Sequence, residues 1–114
     1  MKTLLLIITM CVALGAKSQD VQKILAEQIV EQCRGTITEE KKTDDAILLV
    51  AEIPSFIDEE TLKISVSNVT RRYSDVRTIS TWRRTENNGI QLILKAVDTY
   101  MVVHYRGNQL IIAW

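Results

Sequence analysis

The last third of the chain most constrains the fold, because short apolar runs alternate there with tight turn signals. The runs cover residues 76–84, 90–97, 100–105 and 110–114, and Asn88-Gly89, Asp98-Thr99 and Arg106-Gly107-Asn108 lie between them. Asn-Gly and related pairs favour the positive backbone angles of hairpin turns. The pattern therefore predicts a ladder of antiparallel strands.

These strands carry apolar side chains on both faces of the predicted sheet, because successive side chains of a strand point to opposite sides. In residues 90–97, one face receives Ile90, Leu92, Leu94 and Ala96, and the other receives Gln91, Ile93, Lys95 and Val97. The runs at 100–105 and 110–114 repeat this mixture. Two helices can cover one face, and apolar residues left uncovered on a small domain indicate a contact surface.

The segment after the N-terminal region predicts an amphipathic helix over residues 20–33. Val21, Ile24, Leu25, Ile29 and Cys33 fall on one face at helical spacing. Gly35 is expected at the left-handed position that ends many helices. The thiol of Cys33 has three open roles, which are a buried core residue, an intermolecular disulfide and a reactive group.

The segment at residues 55–73 fits either a helix or a strand, and we predict a helix. Its acidic beginning at residues 58–60 and its basic end at Arg71 and Arg72 both match the helix dipole. The apolar run at residues 46–53 predicts a central strand, closed by Pro54. The charged stretch at residues 36–45 predicts a solvated loop.

Together these elements predict an α+β fold with two layers. We expect a mainly antiparallel sheet of about five strands, with two helices packed on one face. The last predicted strand, residues 110–114, is expected at an edge of the sheet. An edge strand offers unpaired backbone groups to which a strand of a partner can add.

The first residues have the three regions of a secretory signal peptide. Lys2 precedes an apolar run over residues 4–14, and the small residues Ala16 and Ser18 fit cleavage after Ser18. The run is shorter than the roughly 20 residues of a membrane span, so we expect no stable membrane insertion after cleavage. Residues 1–18 are thus predicted to be the signal and residues 19–114 a single exported domain, periplasmic or secreted.

The charge balance excludes a general affinity for nucleic acid. The chain has 14 basic and 14 acidic side chains, and removing residues 1–18 removes Lys2 and Lys17, which leaves 12 against 14, or −2. A weakly acidic domain does not attract a polyanion. The same cleavage leaves Cys33 as the one cysteine, so no internal disulfide is expected.

The densest positive charge is a group of five arginines within residues 71–84, with two aromatic residues between them. Guanidinium groups bind carboxylates or phosphates through paired hydrogen bonds, and aromatic side chains add apolar contact area. The candidate binding residues are Arg77, Trp82, Arg83, Arg84, Tyr100, Tyr105 and Trp114. They extend along the predicted ladder, which makes it the expected contact surface.

The sequence carries no recognised catalytic or cofactor motif. It has no Gly-x-Ser-x-Gly elbow, no His-Glu-x-x-His pair and no glycine-rich phosphate loop, and His104 is its one histidine. We therefore expect no cofactor and no metal. The leading hypothesis is an exported noncatalytic binding or accessory domain, which contacts a protein partner or a second copy through the sheet.

Two alternatives remain open. One is a small carboxylate-dependent enzyme that uses His104 or the acidic residues, and it requires a pocket with convergent polar groups. The other is a structural homo-oligomer of the cell envelope, which requires self-association.

Overall fold

The computed structural model describes residues 18–114. The helices are α1 (Ser18–Gln32) and α2 (Glu59–Thr70). The strands are β1 (Thr36–Lys42), β2 (Ile47–Glu52), β3 (Val76–Thr78), β4 (Arg83–Arg84), β5 (Ile90–Ala96), β6 (Thr99–Arg106) and β7 (Gln109–Ala113). The predicted signal peptide lies outside the described residues, except for Ser18.

The end of α1 differs from its prediction. Arg34 occupies the left-handed region with φ of 60°, whereas Gly35 does not. A Cβ atom at Gly35 would lie 2.6 Å from Ile53 Cδ1 and 3.2 Å from the carbonyl oxygen of Glu52. Glycine is therefore needed at this position because the chain passes close to β2, and not because of its own backbone angles.

The helix predicted within residues 55–73 is confirmed as α2. Asp58 precedes its first turn, and the side-chain Oδ1 accepts a hydrogen bond from the backbone N–H of Thr61 at 2.8 Å. This contact satisfies one of the free N–H groups at the helix start. Leu62, Val66 and Val69 recur at helical spacing and are all buried.

The sheet was predicted to be mainly antiparallel with about five strands, and within residues 18–114 it is antiparallel in all its pairings and has seven strands. Its order is β1-β2-β7-β6-β5-β3, and β4 also pairs with β5. The loop predicted at residues 36–45 was wrong, because β1 forms there with every residue exposed. A strand exposed on both sides has no apolar alternation that would reveal it. The run at residues 76–84 divides into the two short strands β3 and β4.

The predicted edge position of the last strand is also wrong. β7 lies between β2 and β6, with Ile111 opposite Val50 on one side and His104 on the other. The edges of the sheet are β1 on one side and β3 with β4 on the other. The sequence indicates the hairpin of β6 and β7 because their pairing is local. It does not indicate the pairing of β2 with β7, because these segments are far apart in the chain.

Positive backbone angles mark the hairpin turns. Gly107 and Asn108 have φ of 53° and 68°, and Asn88 has φ of 64°, as their residue types favour. Val97, in the turn from β5 to β6, has φ of 60°. A β-branched residue rarely adopts this region, and such strain costs about 1–3 kcal/mol.

The core joins both helices to alternate residues of the central strands. Its buried cluster includes Leu25, Ile29, Cys33, Leu49, Ala51, Leu62, Val66, Val69, Leu92, Leu94, Met101, Val103, Leu110 and Ile112. The buried side chain of Gln22 donates from Nε2 to the carbonyl oxygen of Ala96 at 2.7 Å, which ties α1 to the end of β5. No helix in residues 18–114 has the length and apolarity of a membrane span.

Candidate functional site

The strand residues between the core positions point to the other side of the sheet, which we call the second face. Strand registers bring six apolar side chains together there: Leu48, Val50, Ile93, Val102, Ile111 and Ala113. We call these six the apolar patch. Val50 is 7% exposed although it does not belong to the core cluster, and the other five are partly exposed.

The apolar patch is continuous across four strands. One cross-strand row contains Leu48, Ala113, Val102 and Ile93, on β2, β7, β6 and β5 in that order. Two positions along the strands, a second row contains Glu39, Val50, Ile111, His104, Gln91 and Arg83. Side chains directly opposite each other have Cβ atoms roughly 4.5–5.5 Å apart, so neighbours in each row are in reach of one another.

Charges surround the apolar patch unevenly. The acidic residues lie on the β1–β2 side, where Glu39 and Glu52 point to the second face and Asp44 and Asp45 form the turn between these strands. Basic residues dominate the opposite side, on β3 to β6, and they are Arg77, Arg83, Lys95 and Arg106. Lys41 is the exception on the acidic side, and its Nζ lies 3.5 Å from Glu39 Oε1.

Three of the seven predicted binding residues lie on the second face. Arg77 and Tyr100 are placed on either side of Lys95 by the register of β3, β5 and β6. The Nζ atom of Lys95 lies 5.4 Å from the centroid of the Tyr100 ring, within the range of a cation–π contact. Arg83 occupies the row of His104. All three of the predicted residues are exposed.

The other four predicted residues do not lie on the second face as contact groups. Arg84 donates from Nη1 and Nη2 to the carboxylate of Glu59, each at 2.8 Å. Tyr105 is 6% exposed, and its hydroxyl donates to the carbonyl oxygen of Ile57 at 3.4 Å. Trp82 and Trp114 pack against the core cluster and are partly buried.

Sequence reasoning missed the part of this surface that β1 and β2 supply. Leu48 and Val50 join the apolar patch only because β2 pairs with β7. Glu39 joins its border only because β1 is a strand. The signal that could have revealed this part was the apolar run at residues 46–53. A strand that is apolar on both faces needs other side chains to cover each face.

The neighbours of His104 in the sheet are not those of a catalytic base. Its cross-strand neighbours are Gln91 and Ile111, and a Cβ atom at Gly89 would lie 2.9 Å from its Nε2. Glu39, the carboxylate in the same row, is three strands away, which is about 14 Å at ~4.8 Å per strand. A His base is oriented by a hydrogen-bonded carboxylate, and this one is out of reach.

The acidic residues at the start of α2 have structural partners. The backbone N–H of Thr61 lowers the pKa of Asp58, and the hydrogen bond from Arg84 lowers the pKa of Glu59. A carboxyl group that acts as a general acid near neutral pH needs a raised pKa instead. Within residues 18–114, no three acidic, histidine or cysteine side chains gather as metal ligands.

The thiol of Cys33 is inside the core. The residue is 0% exposed, and burial raises its pKa to about 11, with a hydrogen bond to Ser65 acting in the opposite direction. The thiolate is the form that reacts and that forms disulfides by exchange. Of the three roles left open by the sequence, the geometry favours the buried core residue.

An open cleft of about 360 Å³ lies between α2 and the segment from β3 to β4. Its lining includes Val66, Leu92 and Trp82 together with several serine and threonine hydroxyls. Lys63 is its one titratable residue, and it pairs with Glu60 at 3.4 Å. The cleft therefore lacks the acid–base pair that the enzyme alternative requires.

Comparison of the chain with protein-family models, with curated proteins and with solved structures finds no match. The function of the chain is therefore inferred from its surface.

Proposed function

We propose that the chain is an exported, noncatalytic binding or accessory domain that contacts a protein through the second face of its sheet. The observation that carries this proposal is the apolar patch, which extends over four adjacent strands. An apolar centre within a polar border is the usual anatomy of a protein interface. Scattered apolar residues are ordinary on a surface, whereas a contiguous set indicates contact.

The proposal includes a two-layer arrangement in which both helices cover the core side of the sheet. Two contacts between helices and strands support it. Lys23 of α1 lies 3.3 Å from Glu40, whose cross-strand partner is the core residue Leu49. Glu59 of α2 binds Arg84, whose partner is the buried Ile90. Both pairs join a helix to the core side, so the second face is left to a partner.

The signal pattern of residues 1–18 supports an exported partner, in the periplasm or outside the cell. The charge of −2 on residues 19–114, and the acidic and basic sectors side by side on the second face, favour a protein over a nucleic acid. A polyanion would be repelled by Glu39, Glu52 and the acidic turn. The enzyme alternative gains no support from the cleft or from His104.

Binding is tested with lysine substitutions on the two sides of the molecule. Val102→Lys and Ile93→Lys place a charge in the apolar patch, whereas Ile64→Lys changes a residue of α2 that is 60% exposed. Tagged protein is incubated with the exported fraction of the host, and retained proteins are compared between variants. We expect a partner that wild type and Ile64→Lys retain and that both patch variants lose.

If a retained protein binds all four forms equally, the second face is not the contact surface and the proposal is overturned. Circular dichroism of each variant provides the folding control. A lysine on a partly exposed strand position keeps its ammonium in water, so we expect all variants to fold.

Export is tested separately, by N-terminal sequencing of the protein recovered from cell fractions. We expect the protein in the exported fraction to begin at Gln19. Recovery in the cytosol with Met1 intact contradicts the exported half of the proposal and leaves the binding half standing.

A further inference from the structure

The distribution of charge around the apolar patch specifies its occupant. We propose that a second copy of this chain covers the second face, in a face-to-face dimer whose twofold axis runs parallel to the strands. This inference rests on the proposed function, because it uses the same face. An interface between identical copies must be complementary to itself, and this face meets that requirement.

The axis direction determines which strands meet. The sheet runs from β1 at one edge to β3 and β4 at the other, with β7 and β6 in the middle. A twofold axis parallel to the strands places the β1 edge of one copy over the β3–β4 edge of the other. Stacked sheets lie about 10 Å apart with strands within ~30° of each other, so positions along the strands are roughly kept.

The first complementary pair is Glu39 with Arg83. These residues occupy the two ends of one cross-strand row, which runs through the middle of the second face. The rotation exchanges the ends of this row. Glu39 of each copy therefore meets Arg83 of the other, and the symmetry makes this contact twice.

The second complementary pair lies at one end of the strands. The acidic turn of Asp44 and Asp45 follows Lys42, which pairs with Ile47 at the last position of β1 and β2. Lys95 and Arg77 project from the second face at the same end of the sheet, on β5 and β3. The rotation brings the acidic turn of one copy towards this basic pair of the other.

The third pair lies at the opposite end of the strands. Glu52 and Arg106 share a row in which both pair with Gln109. The rotation exchanges β2 with β5 and β7 with β6, so Arg106 of one copy comes over Gln109 of the other and lies one strand, about 5 Å, to the side of its Glu52. The acidic residues of the second face thus lie opposite or beside basic residues of the second copy.

The same rotation places apolar residues on apolar residues. Leu48 on β2 comes over Ile93 on β5, and Ala113 on β7 comes over Val102 on β6, because these four residues form one row. The centre of the interface then contains this apolar row and, beside it, Val50 over Gln91 and Ile111 over His104, and its border is charged, as in stable protein contacts. Apolar burial supplies the affinity, and the charges select the orientation.

The other face-to-face twofold arrangement is excluded by like charges. An axis in the plane of the sheet but perpendicular to the strands places each edge over its own copy. The acidic β1 side with Glu39 would then face the same acidic side of the second copy, and the basic side with Arg83 would face the same basic side. Opposed like charges suppress such a complex.

Sedimentation equilibrium of the purified protein over a wide concentration range tests this inference. We expect wild type to form dimers and Val102→Lys to remain monomeric. Glu39→Arg and Arg83→Glu should each weaken the dimer, with the dissociation constant rising roughly tenfold, which corresponds to about 1.4 kcal/mol. The double variant Glu39→Arg/Arg83→Glu restores the pairing with reversed signs and should recover most of the wild-type affinity.

Three results overturn the inference. One is a wild type that stays monomeric at all concentrations. Another is a double variant no tighter than its two single variants, which shows that Glu39 and Arg83 do not meet. If wild type is monomeric while Val102→Lys loses a heterologous partner, the second copy is excluded and the proposed function stands. The third is a dimer that Val102→Lys leaves intact, because its interface then lies elsewhere, and the proposed function is decided by its own binding test.

Discussion

Ile111 and Ile112 are neighbours on the same strand, yet Ile112 is completely buried and Ile111 is partly exposed. The same contrast holds for Val103 and Val102 on β6. The residue types on the two faces of the sheet are nearly the same, so composition does not decide which face is the core. The buried cluster contains apolar side chains of both helices together with Ile112 and Val103, and it contains neither Ile111 nor Val102.

The largest difference between the two faces is expected in thiol reactivity. In a Cys11→Ser background, the thiol of Cys33 should react with an aromatic disulfide reagent at least about a thousandfold more slowly than the thiol introduced by Val102→Cys, since a core thiol is reached only through unfolding. The rates are measured by absorbance in dilute native protein, with denatured protein as the control. Equal native rates would show that Cys33 is not sealed in the core.

Truncation of the two isoleucines should separate the faces by stability. Ile112→Ala removes contacts in the core and should lower the free energy of unfolding by about 2–5 kcal/mol. Ile111→Ala on the second face should lower it by less than ~1 kcal/mol in the monomer. Urea denaturation at low protein concentration measures both values. Similar losses for the two variants would mean that the second face is already covered within the monomer.

Alkaline pH should lower the free energy of unfolding because of the buried thiol of Cys33. Its pKa is 9.0 when exposed and about 11 when folded, so between these values the unfolded thiol loses its proton and the folded thiol keeps it. The stability is full below pH 9 and decreases as the pH rises through this window. The urea midpoint at successive pH values should fall more steeply for wild type than for Cys33→Ala. Parallel curves would contradict this expectation.

The smallest predicted change concerns the turn that fixes which residues point to which face. Val97→Gly relieves a β-branched residue at φ of 60° and should raise the free energy of unfolding by about 1 kcal/mol. Asn88→Gly is the matched control, because asparagine tolerates the left-handed region and little relief is available. A loss of stability in Val97→Gly would show that the valine side chain makes contacts that outweigh its strain.

The sequence alone predicted the elements whose signals are local. The strands of the last third and α2 follow from alternation, turn residues and helical spacing, and each is present. The missed features depend on long-range pairing or on the lack of an apolar signal. β1 was missed because its charged residues are exposed on both sides, and the central place of β7 was missed because β2 is more than fifty residues earlier in the chain.

The candidate site was predictable to the same extent. The apolar residues on both faces of residues 90–97 correctly indicated that some apolar side chains of this strand lie outside the core. The arginines and aromatic residues predicted to form one binding surface lie on two different faces of the sheet. Tyr105 and Trp114 point to the core side, whereas Arg77 and Tyr100 point to the second face. The acidic residues that complement the basic sector lie on strands that only the three-dimensional pairing brings into the sheet.

The central position of β7 has a consequence for how the protein acquires its structure. β7 follows every other strand in chain order, and it alone joins β2 to β6. Until residues 109–113 leave the ribosome, the sheet consists of two unconnected parts with four free edges. Such long-range closure is slow compared with local hairpin formation. A nascent chain is thus exposed to strand exchange with other copies during this interval, and a single five-residue strand ends the risk.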